Sequence, residues 1–198
     1  MRLTRGTLRC AVFFLVTYFL TLPVLALASG EKASDELKGT IEEVLVIVND
    51  ESLEKDADIR RDRIQETVAK RFDYRQMGIR SLKEVWSRIS QEEQGRFTRS
   101  FKRLLGNAYL SQIESLKEGE IDFVDEHIKG KYALVKTQVR SKSKITDVDY
   151  KLVRKEEGWM VYDFVVNGVS MVQNYHVQFT KVLSKKTFGE LLKRMDAI

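Results

Sequence analysis

Apolar side chains in the first half of the chain recur every three or four residues, which is the spacing of one face of an α-helix. This pattern predicts helices over residues 35–48 and 57–71. A third helix is expected to begin near Asp73, a residue type that caps helix N-termini. Its apolar positions are Met77, Leu82, Val85, Trp86 and Ile89.

The fourth helix carries the strongest local signal in the sequence. Ser90 and Glu93 have the spacing of a capping box, in which each side chain satisfies a backbone N–H at the start of the helix. The apolar face then continues to about Lys117, which corresponds to roughly 40 Å of helix. Its apolar positions, several of them aromatic, are Phe97, Phe101, Leu104, Leu105, Ala108, Tyr109, Ile113 and Leu116.

From Gly119 onward apolar and polar residues alternate, which is the period of a β-strand. Turn residues at Gly130 and Gly158 separate these runs, so an antiparallel meander is expected. The predicted strands are residues 121–128, 131–140, 145–154 and 159–167, and the last is expected to place Met160, Tyr162, Phe164 and Val166 on one apolar face. Helices over residues 170–183 and 187–195 follow. The pattern predicts an α+β fold in which helices pack on a twisted antiparallel sheet of about four strands.

The N-terminus has the layout of a secretory signal peptide. Three arginines precede an apolar run over residues 11–22, and Ala26 and Ala28 supply small residues for cleavage after Ala28. A retained membrane anchor is the alternative, but the run is shorter than the roughly 20 residues that span a bilayer. A lipoprotein is not expected, because Cys10 precedes the apolar run instead of following it.

Removal of residues 1–28 would leave one domain over residues 29–198. Cys10 is the only cysteine, so the exported chain would have neither a disulfide nor a thiolate. It would carry 31 Lys and Arg against 29 Asp and Glu, a net charge of +2. These charges are interleaved along the sequence, whereas a nucleic-acid-binding protein usually has a clustered basic stripe. A nucleic-acid partner is therefore not expected.

Few residues suggest catalysis or metal binding. His127 and His176 have no partner at metal-ligand spacing, and the chain has neither a phosphate-binding glycine loop nor a nucleophile-elbow motif. No metal, cofactor or enzymatic activity is expected. Asp163, between Tyr162 and Phe164, is the one candidate base for an enzyme with an apolar pocket. A hydrogen-bonded or outward-facing Asp163 is the preferred interpretation.

A longer motif near the C-terminus is more specific. Residues 158–179 contain a Gly-Trp pair, Tyr162-Asp163, a Gly-Val-Ser, an Asn-Tyr and a Gln-Phe in this order. This order resembles the C-terminal signature of the MlaC family, also called the toluene-tolerance family. The similarity covers most of residues 35–195. Further matching positions are Phe72, Asp73, Met77, Leu82, Trp86, Phe97, Phe101, Leu104, Leu105, Tyr109, Tyr150 and Leu152, whereas Gly78, Lys83 and Asn167 depart from the family pattern.

The resemblance implies a monomeric periplasmic phospholipid carrier with a deep apolar cavity for acyl tails. Members of the family pass lipid between an outer-membrane lipoprotein–porin complex and an inner-membrane ABC transporter with an MCE-domain ring, and so maintain outer-membrane lipid asymmetry. A carrier of hopanoids or other apolar lipids is the alternative within the family. An adaptor with a solid core is a further alternative, because apolar faces usually pack against each other.

The lipid-binding residues are expected on both layers and at the mouth of the cavity. Trp86, Phe101, Leu105 and Tyr109 would form the helical wall. The sheet wall would consist of Tyr150, Leu152, Phe164 and Val166, and the mouth of Val169, Met171 and Val172.

Overall fold

The computed structural model of the protein describes residues 32–141 and 144–197. The predicted signal peptide lies outside these residues. The helices within them are α1 (Ala33–Val48), α2 (Ala57–Arg71), α3 (Tyr74–Leu82), α4 (Gln91–Glu114), α5 (Met171–Leu183) and α6 (Phe188–Asp196). Short 3-10 turns cover Glu51–Leu53, Lys83–Arg88 and Ser115–Glu118.

The strands form one antiparallel meander, as the turn spacing predicts. They are β1 (Glu120–Lys129), β2 (Tyr132–Ser141), β3 (Lys144–Lys155), β4 (Gly158–Val166) and β5 (Val169–Ser170), and they lie in chain order across the sheet. The short fifth strand was not predicted. It arises because Asn167 and Gly168 form a two-residue hairpin turn with φ values of 48° and 82°, as hairpin turns of this kind require.

The predicted third helix is interrupted, which corrects the sequence-based prediction. Helix α3 ends at Leu82, and Lys83 has a φ of 50°. The following 3-10 turn folds back and places the Trp86 ring over Gly78, where an added Cβ would lie 3.1 Å from the ring. Trp86 also meets Phe97 edge-on, with the ring centroids 6.2 Å apart. The absence of a side chain at Gly78 therefore allows Trp86 to pack against α3.

The predicted face of β4 is also wrong, because the strand contains a β-bulge. Val161 pairs with Leu152 and Phe164 pairs with Tyr150, so one extra residue of β4 lies between these pairs. A bulge shifts the alternation of side chains by one position. Of the predicted face, Met160 and Tyr162 therefore do not lie with Phe164 and Val166, and Tyr162 packs against Tyr132 on the other side of the sheet.

The apolar core of the described residues consists of three clusters. Helices α3 to α6 pack against one another around Phe97 and Phe101. Helix α1 packs through Leu37 on the sheet residues Val135 and Leu152. The third cluster joins α1, α2 and α4. Together they fix the positions of α2 and α4 relative to the sheet.

Candidate functional site

An apolar pocket of about 470 Å³ lies between α2, α4 and the sheet. Ligand pockets of proteins commonly have volumes of this order. On the helical side the apolar lining residues are Ile64, Val68, Phe72, Leu105, Tyr109, Leu110, Ile113 and Leu116, together with Tyr74 at the start of α3, and Gln65 and Gln112 also line it. The sheet side is lined by Val139, Thr146, Val148, Tyr150, Phe164 and Val166.

The two ends of the pocket differ in polarity and exposure. Ser115, Ser141 and Lys144 line one end and are exposed at the protein surface. Leu105, which is 5% exposed, lies at the other end together with Tyr150. Tyr150 lies six positions after Lys144 along β3, which corresponds to roughly 20 Å. The pocket therefore runs from a polar outer end to a buried, largely apolar inner end.

Five of the eleven predicted lipid-binding residues line this pocket. Tyr109 and Phe164 meet edge to face across it, with ring centroids 5.0 Å apart. The five residues are Leu105, Tyr109, Tyr150, Phe164 and Val166.

The other six lie outside the lining. Helix α4 is long enough to contact two different neighbours, so its first half, with Phe101, faces the cluster of α3, α5 and α6, which also includes Trp86. Leu152 packs beneath α1. At the start of α5 Met171 and Val172 are buried, and the Met171 sulfur accepts a hydrogen bond from the Tyr109 hydroxyl. Val169 is 53% exposed and pairs with the pocket residue Val166 across the β4–β5 turn.

Sequence reasoning missed the contribution of α2 to the pocket. Ile64, Val68 and Phe72 follow one another at intervals of four residues and all line it. This stripe is visible in the sequence among many charged residues. Periodicity identifies an apolar face but does not indicate whether that face meets other side chains or an open space.

Asp163 faces away from the pocket lining, which agrees with its predicted structural role. It is 5% exposed and forms an ion pair of 2.9 Å with Lys151. Its carboxylate also accepts hydrogen bonds from the Ser170 hydroxyl at 2.8 Å and the Val172 backbone N–H at 3.1 Å. The carboxylate therefore stabilises the start of α5, and it does not reach the position that a base acting on a pocket-bound substrate requires.

Three tyrosines give the pocket polar groups of limited reactivity. Burial raises the pKa of Tyr150 to about 12 and also raises the pKa values of Tyr74 and Tyr109. All three hydroxyls therefore stay protonated at neutral pH.

Other kinds of site are not evident in the part of the chain that the structure describes. Over residues 32–141 and 144–197 no cluster of three or more acidic or histidine side chains could hold a metal ion. His127 is exposed, and the His176 ring nitrogen Nδ1 lies 2.9 Å from the Ser81 carbonyl oxygen. Nor does any helix of this region combine the length and apolarity needed to cross a membrane.

Comparison with solved structures supports the fold. The chain is similar to a phospholipid-binding protein from Ralstonia solanacearum whose structure was solved in complex with a phospholipid. The TM-score is 0.75 at 20% sequence identity, and the match covers 84% of this chain and 96% of the other. No curated protein gives a significant sequence match.

The family comparison covers nearly the whole described region. The family model described as MlaC protein matches residues 38–197. This range includes α2, α4 and every strand that lines the pocket. The chain therefore belongs to the MlaC family.

Proposed function

We propose that this protein is a phospholipid carrier that holds acyl tails in the pocket between α2, α4 and the sheet. The observation that carries this proposal is the pocket itself, with an apolar interior and a polar outer end. Acyl tails would occupy the interior, and the headgroup would remain near Lys144. The phospholipid in the related Ralstonia solanacearum structure supports the same ligand class.

The family and the N-terminal sequence support a place in the periplasm. After cleavage of the signal peptide the protein would act in the periplasm as a monomer and as the soluble component of an Mla-type ABC transport system. Its partners would be an inner-membrane transporter with an MCE-domain ring and an outer-membrane lipoprotein–porin complex. Phospholipid transport, rather than catalysis, would be its contribution to outer-membrane lipid asymmetry.

The energetics of lipid burial favour transfer by direct docking. Each buried CH₂ group contributes about 0.8 kcal/mol relative to water, so two acyl chains amount to on the order of 20 kcal/mol before ordering costs. Release into water is therefore negligible. Lipid in a membrane is already out of water, so exchange between a docked acceptor and the pocket can be nearly balanced.

Native mass spectrometry of the purified protein, followed by lipid extraction, tests the proposal. We expect a bound mass equal to that of a diacyl phospholipid, retained on dilution and lost when the transporter is added. Recovery of a hopanoid would instead favour the alternative carrier function. A protein that never carries lipid, even after incubation with phospholipid vesicles, would contradict the carrier function.

A further inference from the structure

Two tyrosine hydroxyls at the inner end of the pocket form no hydrogen bond with the part of the chain that the structure describes. Tyr74 and Tyr150 both line the pocket, yet within residues 32–141 and 144–197 neither hydroxyl forms a hydrogen bond. Neither oxygen is among the buried polar side-chain atoms of this region that are enclosed without a partner. Each hydroxyl therefore borders the free space of the pocket.

Tyr109 shows that a hydroxyl in this pocket can be paired by the protein. Its oxygen donates to the sulfur of Met171, which lies behind the pocket wall. The Tyr74 hydroxyl forms no such bond with the described residues, and its ring stacks on Phe72 with centroids 6.2 Å apart. The Tyr109 hydroxyl is therefore hydrogen-bonded within the protein, whereas hydrogen bonding of the Tyr74 and Tyr150 hydroxyls depends on what the pocket contains.

The position of these hydroxyls determines what they meet when lipid is bound. The polar outer end of the pocket, near Lys144, is roughly 20 Å from Tyr150 along β3. A phospholipid that enters tail-first places its ester and phosphate oxygens near that outer end. Its methylene and methyl groups reach Tyr74 and Tyr150, and these groups cannot accept a hydrogen bond.

We infer that Tyr74 and Tyr150 lower the affinity of the pocket for acyl tails and so favour release of the lipid. In the empty pocket water can bond to both hydroxyls. Lipid entry removes that water without replacing its hydrogen bonds, which penalises the loaded state. Burial also raises the pKa of Tyr150 to about 12, so the hydroxyl stays neutral and this effect persists across the physiological pH range. The inference rests on the proposed carrier function and concerns how tightly the same pocket holds its ligand.

The test measures lipid loss from protein that has been loaded with phosphatidylglycerol. Loaded protein is mixed with vesicles of phosphatidylcholine and phosphatidylglycerol, and native mass spectrometry follows the loaded fraction over time. Tyr150→Phe is expected to lose lipid about tenfold more slowly than the wild type, because its loaded state no longer contains this unpaired buried hydroxyl. The Tyr74→Phe/Tyr150→Phe double variant is expected to be slower still.

Two further variants separate this effect from general disturbance of the fold. Tyr132→Phe removes a hydroxyl from a residue that is 41% exposed and outside the pocket, so the wild-type rate is expected. Val148→Thr adds a hydroxyl to the pocket wall without changing side-chain size and is expected to speed lipid loss.

Equal or faster lipid loss from Tyr150→Phe would overturn the inference, because it would mean that the hydroxyl is satisfied by the lipid or by retained water. In that case the wild type would still carry phospholipid and the carrier function would stand. A wild-type protein that cannot be loaded would instead overturn the carrier function, and the inference with it.

Discussion

At the scale of single residues, Gly158 shows what the Gly-Trp pair contributes to the fold. Its φ is 107°, and an added Cβ would lie far inside van der Waals contact with the Glu36 carboxylate. That carboxylate accepts a hydrogen bond from the Trp159 N–H at 3.0 Å and forms an ion pair with Arg71. Arg71 in turn donates to the Trp159 carbonyl at 2.8 Å. The Gly-Trp pair thereby ties β4 to both α1 and α2, and α2 forms part of the pocket wall.

Gly158→Ala is expected to destabilise the protein by about 2 kcal/mol or more, because the left-handed backbone disfavours a side chain and the Cβ also displaces Glu36. Urea unfolding measures this loss. Gly130→Ala is the matched control, since Gly130 also has a positive φ of 60° but no atom within 4 Å of its added Cβ. Equal losses for the two variants would show that the contact with Glu36 contributes nothing.

At the scale of elements, Asp163 joins the end of β4 to the start of α5. Asp163 and Phe164 are consecutive residues of β4 with side chains on opposite faces of the sheet, so Asp163 points away from the pocket-facing Phe164, and Lys151 on β3 completes the ion pair. A buried carboxylate that binds a backbone N–H, a hydroxyl and an ammonium group contributes to stability mainly because its removal leaves those partners unpaired.

Asp163→Asn is expected to reduce the free energy of unfolding by about 1–3 kcal/mol while leaving the lipid content of the purified protein unchanged. Urea unfolding and lipid extraction give the two measurements. Asp125→Asn makes the same change in a surface ion pair with Lys136, where the loss should be below about 1 kcal/mol. Loss of lipid binding in a fully folded Asp163→Asn protein would show that Asp163 contributes to the pocket after all.

The sequence predicts most elements because their signals are local. The capping box at Ser90 and Glu93 is present as predicted, and the predicted meander matches the strand pairing. The break after Leu82 and the bulge in β4 are not predictable in this way, because each depends on packing between distant segments. Trp86 covers Gly78 only once the chain has folded back.

The candidate site is less predictable than the fold for a related reason. Leu105 and Tyr109 face the pocket, whereas Phe101, one turn earlier on the same apolar face of α4, is fully buried against Tyr175 and Phe179. The helical periodicity of the sequence places Phe101, Leu105 and Tyr109 on the same apolar face and does not distinguish between them. Which of them borders open space depends on how far α5 extends along α4, since Phe101 meets Tyr175 and Phe179 whereas Tyr109 reaches Met171 at the start of α5. That is a property of the tertiary structure.

At the scale of the whole molecule, the fold combines a densely packed helical region with an open apolar pocket. Helices α3 to α6 enclose a dense aromatic cluster in which Phe97 and Phe101 are completely buried. Next to it, α2 and the second half of α4 are held away from the sheet and leave the pocket unfilled. Open apolar volume forfeits packing contacts, so the pocket reduces the stability of the empty protein. A ligand that fills it restores those contacts.

Removal of bound lipid is therefore expected to lower the melting temperature. A ligand present at a thousand times its dissociation constant stabilises the native state by about 4 kcal/mol, and for a protein of this size this corresponds to a fall of about 10 °C on delipidation. Scanning calorimetry of the protein before and after delipidation measures the change. Leu105→Trp, which places a larger side chain in the inner end of the pocket, should be purified with little lipid and should show almost no change in melting temperature after the same treatment. A ligand that restores contacts in the native state must raise the temperature at which that state unfolds. An identical melting temperature for lipid-loaded and lipid-free wild type would therefore mean that the tails do not fill the space between α2, α4 and the sheet.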